Sequence, residues 1–358
     1  MAALTTKLFG FTLEHPIMPA AGPPVRNAAA LLACAAGGAS ALVTKTISVK
    51  AADVPAPNMA DFKTYFLNTE LWSELSPEQW LEEEYAKTQR AGLPMIIGLG
   101  YTADDIAELA PQVAPFADAI ELSTHYISDD PEPMQAAVRA AIEGAGVPVL
   151  VKMSPFREPQ RAALAAQEAG AAGIVAVNSF GPAFGIDIEH GGRTWMGGKG
   201  YGWMSGPALK PIGLRMVYDI ARVVDIPILG VGGISTGTDV VEYLMAGATA
   251  VQICTAAITK GPQIFGKVAR QLDRWLDKHG YASVADIRGL TLQQSIPQMS
   301  APPTLLPEKC VGCGLCVTSC VYDALYLVDK KIRIHAENCE KCGLCLSRCP
   351  TGALQFSG

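Results

Sequence analysis

Eight of the ten cysteines in this 358-residue chain fall in two short runs near its end. The first, KCVGCGLCVTSC, sets Cys310, Cys313, Cys316 and Cys320 at the spacing C-x2-C-x2-C-x3-C. The second, NCEKCGLCLSRCP, repeats it with Cys339, Cys342, Cys345 and Cys349 and ends in Pro350. Thiolates are soft donors that suit iron, and two-residue spacers let three of them reach round one small inorganic body. The chemistry such runs support is one-electron transfer through iron–sulfur clusters. Zinc is the alternative for clustered thiols. It favours paired C-x2-C knuckles over a three-cysteine run with a fourth cysteine three residues on. Val321 stands after the first run where the second has proline, a departure that leaves the ligands intact.

A second group of reactive side chains follows short apolar runs earlier in the chain. Thr44, Lys45 and Thr46 close ALVTKT, Lys152 lies at the end of PVLVKM, and Asn178 and Ser179 close GIVAVNS. Gly232 and Gly233 close IPILGVGG, and Cys254 and Thr255 lie in AVQICTA. A lysine ending an apolar strand must be paired or put to use, because burying its charge alone is costly. Snorkelling to water is the plain alternative for one such lysine. Two of them, with an Asn-Ser pair, favour a shared polar ligand. Glycines after a strand expose backbone N–H groups that suit a phosphate. The combination describes a phosphate-bearing ligand held by lysines near an electron-rich end. Flavin mononucleotide (FMN) satisfies that description and would give the clusters a redox partner on the same chain. GLGYTA lacks the third glycine of a dinucleotide-binding turn, so no NAD site is expected here.

These residues need a frame. Apolar runs begin at Ile17, Ala41, Pro94, Ala119, Pro148, Gly173, Ile226 and Ala250. Between most of them lie Ala-rich segments of helical spacing such as PEPMQAAVRAAIEGAG. Eight strands alternating with helices predict a (β/α)8 barrel, assigned to residues 1–299. A doubly wound sheet is the alternative, but it would carry a Gly-rich first turn, which AAGPPV is not. Residues 50–93 and 180–206 are long insertions after the second and sixth strands, at the strand ends where barrels build their sites. SIPQMSAPPTLLPEK reads as a linker, and residues 300–358 as a small ferredoxin-like domain. In two-cluster ferredoxins the fourth cysteine of each run crosses to the other cluster. That predicts one [4Fe-4S] cluster on Cys310, Cys313, Cys316 and Cys349, and a second on Cys339, Cys342, Cys345 and Cys320. DALYLVDKKIRIHAENC, between the runs, reads as a hairpin.

The formal charge of −6 and the lack of a basic run exclude nucleic acid as a partner. No run of 18 apolar residues and no secretory pattern at MAALTTKLFGFTLEHP occurs, so no membrane is expected and the chain is placed in the cytoplasm. Clustered thiols in that reducing compartment read as metal ligands instead of disulfides. Cys34, in an Ala-rich segment, reads as a small apolar core residue.

Taken together, LVTKTIS, LNTELWSE, VKMSP, VNSF, SGPALKPIGLRMV, GVGGIS and QICTA make the chain resemble the dihydroorotate dehydrogenase superfamily. The closest likeness is to the C-terminal half of dihydropyrimidine dehydrogenase, where an FMN barrel precedes two [4Fe-4S] clusters. The resemblance implies FMN contacts at Ala20, Lys45, Thr46, Lys152, Asn178, Gly206, Gly232, Gly233, Cys254 and Thr255. Lys152 would face the N1 and O2 edge of the flavin, and Gly206, Gly233 and Thr255 the phosphate. NTELWSE matches the dihydropyrimidine branch and implies substrate contacts at Asn68 and Glu70, with Ser123, Asn178 and Ser179 facing them. Without the resemblance, Asn68 and Glu70 read equally well as a solvated loop. In the Gly-rich stretch that follows, Trp195, Met196, Tyr201, Trp203 and Met204 could wall a pocket or pack subunits, and His190 and Arg193 could meet an anion.

The fourth strand departs from the family. Relatives read close to E-L-N-L-S-C-P there, whereas this chain reads Glu121-Leu122-Ser123-Thr124-His125-Tyr126-Ile127, and the usual acid/base cysteine is absent. His125 and Tyr126 are the substitutes at that strand end, able to supply a proton opposite the flavin; Tyr126 filling space is the plain alternative. The reading is an FMN-dependent oxidoreductase acting on CH–CH bonds, with Lys152, His125 and Tyr126 as its catalytic residues. It would link a carbonyl-activated C=C bond in a small cyclic amide or pyrimidine-like substrate to ferredoxin or to an NAD(P)H-linked flavoprotein, as a homo-oligomer. Two alternatives stand beside it: an electron-transfer subunit without its own substrate, and dihydroorotate oxidation.

Overall fold

Every apolar run forms a strand. The computed structural model describes residues 2–123, 130–155 and 158–356. The chain divides into two compact units, one up to Gln293 and one from Gln294. That division lies just ahead of the proline-rich stretch.

In the first unit β1 (Ile17–Pro19), β2 (Leu42–Val43), β3 (Met95–Leu99), β4 (Ala119–Leu122), β5 (Val149–Met153), β6 (Gly173–Ala176), β7 (Ile228–Val231) and β8 (Ala250–Ile253) form one eight-stranded sheet. All the strand pairs are parallel, in the order β1-β8-β7-β6-β5-β4-β3-β2. The Ser40 N–H donates to Ile17 O at 3.1 Å and brings β2 back to β1, so the sheet curls into a near-closed barrel. A helix follows each strand: α1 (Ala28–Ala36), α2 (77–88), α3 (Ala103–Val113), α4 (Glu132–Ala145), α5 (Pro159–Glu168), α6 (Lys210–Ala221), α7 (Gly237–Met245) and α8 (Ile264–His279). Local chemistry sets their ends. Thr102 and Thr236 cap α3 and α7, each in a reciprocal pair with the Asp three residues on. In α8 the buried residues Ile264, Phe265, Val268, Leu272 and Leu276 form one apolar stripe.

Alternation along the strands sorts side chains into two sets. Outward residues such as Ile97, Ile120, Val151, Ile174 and Val251 pack in the large core against the helices. Inward residues Met18, Val43, Ile96, Ala119, Leu150, Val175, Leu229 and Ala250 form a second cluster, joined by Leu8 and Leu13. Those two come from an antiparallel hairpin, Thr6–Leu8 with Phe11–Leu13. Its Phe9 packs on Gly173 at the start of β6, so the hairpin plugs the N-terminal end of the barrel. His15 follows the hairpin. Its Nε2 donates to Gly38 O at 2.9 Å while Nδ1 accepts from Ile17 N, and burial holds its pKa below the usual imidazole range.

The two insertions are not separate loops. Met59–Asp61 and Phe66–Asn68 from the first pair with Gly202–Ser205 and Phe180–Ala183 from the second in one antiparallel four-stranded sheet. Trp203 stands opposite Asn68 and Ser205 opposite Phe66.

In the second unit Thr304–Leu305 pairs with Leu354–Gln355, and Leu325–Val328 with Lys331–Ile334 as the expected hairpin. Asp329 and Lys330 turn it with φ of 49° and 58°, the left-handed pair that two-residue hairpins require. Its core is small: Cys316, Leu325, Ile332 and Leu354. No helix among the described residues is long and apolar enough to cross a membrane.

Candidate active site

A cavity of about 400 Å3 opens at the C-terminal ends of the barrel strands, beneath the inserted sheet. Ala20, Lys45, Thr46, Ser123, Lys152, Asn178 and Ser179 line it from the strand ends, and Asn68 and Glu70 from the first insertion. Gly206, Gly232, Gly233, Cys254 and Thr255 line it at the ends of β7 and β8 and before α6. Every residue expected to contact FMN or substrate therefore lines one cavity; His125 and Tyr126 lie outside the described residues. Of the aromatic loop residues, Trp203 lines the cavity. His190 and Arg193 both bond the buried Asp187 carboxylate instead, with their side chains mostly exposed. Cys34 is buried in the main core.

The floor is polar and wholly buried. Continuing the inward alternation, β4 presents Glu121, β5 Lys152 and β8 Gln252. Lys152 Nζ donates to Glu121 Oε1 at 3.1 Å, and Gln252 Nε2 donates to Glu121 Oε2 at 2.6 Å. Gln252 Oε1 has no hydrogen-bond partner. Glu121 and Gln252 were not picked out from the sequence, although a glutamine inside AVQIC, two residues after an inward alanine, is a signal that strand alternation could have read.

The wall near the first insertion is acidic. Lys45 Nζ donates to Glu70 Oε2 and to Glu74 Oε2, each at 2.7 Å, and Asn58 Nδ2 donates to Glu70 Oε1 at 2.6 Å. The Asn68 side chain is held by Trp203 O at 3.2 Å and by the Glu70 N–H at 3.3 Å. Trp72 and Tyr101 meet edge to face beside it. Cys254 is a neutral thiol: burial pushes it up to about 11, with Glu70 adding to the rise against Lys152 and Lys45.

At the opposite end, Gly233 adopts φ +68°, and a Cβ there would fall 2.8 Å from Lys210 Cβ and 2.9 Å from Gly206 O. Ser205 Oγ and Thr255 Oγ1 pair at 2.9 Å beside it. The chain then enters α7, whose N-terminus favours negative charge.

The sequence matches the family described as dihydroorotate dehydrogenase over residues 3–276. The chain belongs to the dihydroorotate dehydrogenase family. This is a family of FMN-type flavoprotein oxidoreductases, and a second match, to a 4Fe-4S dicluster domain, covers residues 309–353. Among its relatives is the protein named dihydroorotate dehydrogenase B (NAD(+)), catalytic subunit, from Pyrococcus abyssi (strain GE5 / Orsay), 34% identical over 302 residues, 81% of this chain and 99% of the relative. Proteins of the same name from Methanothermobacter thermautotrophicus and Geobacter sulfurreducens are 34% and 31% identical over 80% of this chain and 98% and 97% of their own lengths. These relatives carry the dihydroorotate name, so the likeness shown is to the family as a whole and not specifically to the dihydropyrimidine branch that NTELWSE suggested.

The residues present fit FMN. The polar floor offers a lysine donor and an unused carbonyl acceptor to a ring with alternating hydrogen-bonding groups, and the Gly233 turn leaves room where any side chain would intrude.

The cysteines of the second unit are gathered in a crossed pattern. One small cavity is lined by Cys310, Cys313, Cys316 and Cys349, the other by Cys320, Cys339, Cys342 and Cys345. Gly312 allows the first: a Cβ there would lie 2.1 Å from Lys330 O. Among the described residues no three Cys, His, Asp or Glu side chains converge closely enough to hold a single metal ion. Burial raises Cys345 to about 11, and Cys342, Cys316 and Cys339 add to the rise, a repulsion that bound iron would relieve. Burial also pushes Cys349 up, but the Thr351 hydroxyl and the N–H groups of Thr351, Ala353 and Leu354 outweigh it and hold the thiol at about 7.

Proposed function

We propose that this chain dehydrogenates, or in reverse hydrogenates, a CH–CH bond in a dihydropyrimidine-type ring through FMN, with dihydroorotate the first substrate to consider. The observation that carries the reading is the single cavity that joins the Lys152 floor and the Gly233 turn to the Asn68–Glu70 wall. The dihydroorotate names of relatives matched over nearly their whole length support the choice of ring.

When bound, FMN supplies hydride acceptance from a ring carbon. Lys152 would place a positive charge where the reduced ring gathers negative charge, and Glu121 holds that ammonium in place. Gly206, Gly233, Ser205 and Thr255 would hold the phosphate. Asn68 and Glu70 would orient ring N–H and C=O groups. The proton that accompanies hydride transfer would fall to Tyr126, at the position where the family resemblance implies a cysteine, or to its neighbour His125. Two [4Fe-4S] clusters on the crossed cysteine sets would pass electrons singly to a separate partner in the cytoplasm, ferredoxin or an NAD-linked flavoprotein subunit. The words "NAD(+)" and "catalytic subunit" in the relatives' names favour the second.

One observation favours a neutral ring over dihydroorotate. Glu70 lines the cavity and shares Lys45 with Glu74, so a ring carboxylate would meet a carboxylate there in place of a free cation. The test is anaerobic. Dihydroorotate, dihydrouracil and dihydrothymine are added in turn to protein loaded with FMN and iron–sulfur clusters, and the flavin band is followed. Bleaching by dihydroorotate supports the relatives' reaction, and bleaching by the neutral rings alone assigns the neutral branch. No response to any of them would overturn the proposal and leave an electron-transfer subunit.

A further inference from the structure

The carboxylate of Glu121 sits on the barrel axis with a different strand on each oxygen. Its partners Lys152 and Gln252 lie on β5 and β8, and the bond to Gln252 crosses the barrel, because β8 stands opposite β4 in the strand order. All three side chains are at least nine-tenths buried. A buried carboxylate fixes what faces it. Gln252 must turn its amide nitrogen to Glu121, since the reverse orientation would set two acceptors against each other. That leaves Gln252 Oε1 as an unpaired buried acceptor on a residue that lines the cavity, as does the lysine donor Lys152. An unpaired buried acceptor is costly, and native proteins rarely keep one without a use for it.

We propose that Glu121 is a positioning residue that sets Lys152 as donor and the Gln252 carbonyl as acceptor, and that the pair reads the C=O and N–H of one lactam-type edge of the bound ring. The inference rests on the FMN reading above and adds two things to it: a contact from Gln252, and a charge balance in which Glu121 tempers the field of Lys152 at the ring. Removing the Glu121 charge would leave the lysine uncompensated and favour the reduced, more negative ring. Removing the Gln252 amide would cost ring affinity without changing net charge.

The experiment compares wild type, Glu121→Gln and Gln252→Met as full chains carrying their clusters. It reads FMN affinity, the reduced-to-oxidised flavin ratio at a fixed electrode poise, and thermal unfolding before FMN is added. The expected result is at least tenfold weaker FMN binding in Gln252→Met, and at least a tenfold higher reduced fraction ratio in Glu121→Gln, about 30 mV for a two-electron couple. Each variant leaves a buried polar group short of a partner, so the FMN-free protein should unfold somewhat earlier in both; the shifted flavin ratio in Glu121→Gln is the readout that a merely structural role would not move. Wild-type affinity and poise in both variants would overturn the inference while leaving the FMN reading intact. Should Glu121→Gln fail to fold, Gln252→Met decides, and wild-type FMN affinity there overturns it. A wild-type chain that does not bind FMN sinks both readings together.

Discussion

The two units solve the problem of holding redox groups in opposite ways. The barrel has two apolar clusters of its own, one inside the sheet and one beneath the helices, and its polar site is a single layer laid over them. The C-terminal unit has four buried side chains in its core, one of them a candidate ligand, Cys316. Val311, Val321, Tyr322 and Phe356 stay exposed there. A unit this small rarely folds on so little apolar burial without a metal or a cross-link. The barrel places its site on a finished core, whereas the smaller unit completes its core with the group it carries.

The largest effect should fall on the smaller unit. Cys316→Ser is expected to lower bound iron from about eight to about four atoms per chain and to leave residues from Gln294 onward open to protease while the barrel stays resistant. Continued protection in an iron-free chain would erase the contrast between the units. Next comes the buried pair of the barrel. Lys152→Ala strands the Glu121 carboxylate and should cost about 3–5 kcal/mol in urea unfolding; a loss near zero would show that the floor is wetter than its burial implies. Gly233→Ala forces a Cβ against Lys210 and Gly206 in a left-handed turn. It should cost about 1–3 kcal/mol and weaken FMN binding more than it weakens the fold, measured by FMN titration alongside unfolding. The smallest effect concerns His15. Burial lowers its pKa, so the unfolded chain takes up a proton first as pH falls below the ordinary value of 6.5. Its contribution to stability is complete above that value and declines below it. His15→Gln should flatten the fall in melting temperature between about pH 7.5 and 5.5, and an unchanged slope would count against that role.

What the sequence made legible followed from local pattern. Each barrel strand is a short apolar run, and several of the runs end in a polar residue out of place, as Lys45 and Lys152 are. The cysteine spacing placed the eight cysteines that line the two small cavities. The inserted sheet was hidden because Phe66–Asn68 and Gly202–Ser205 pair across more than a hundred intervening residues, and nothing in FLN or GWMS announces the partner. The hairpin plug was missed for a similar reason: TKL and FTL are too short for alternation to stand out. Glu121 looked like part of a family motif, and its role as the common partner of Lys152 and Gln252 emerges only when opposite strands are brought together. His125 and Tyr126 were named from the sequence and lie outside the described residues.

The joined insertions have one more consequence. Because Asn68 is bonded to Trp203 O and Gly202 has no room for a Cβ against Asn68 O, the wall proposed to select the substrate is a single mechanical part assembled from two distant stretches of gene. A change of length or register in one stretch would have to be answered in the other. Selectivity in this scaffold should therefore travel as a matched cassette, and a graft that moves residues 50–93 without 180–206 should deliver a barrel whose ring-binding wall no longer assembles.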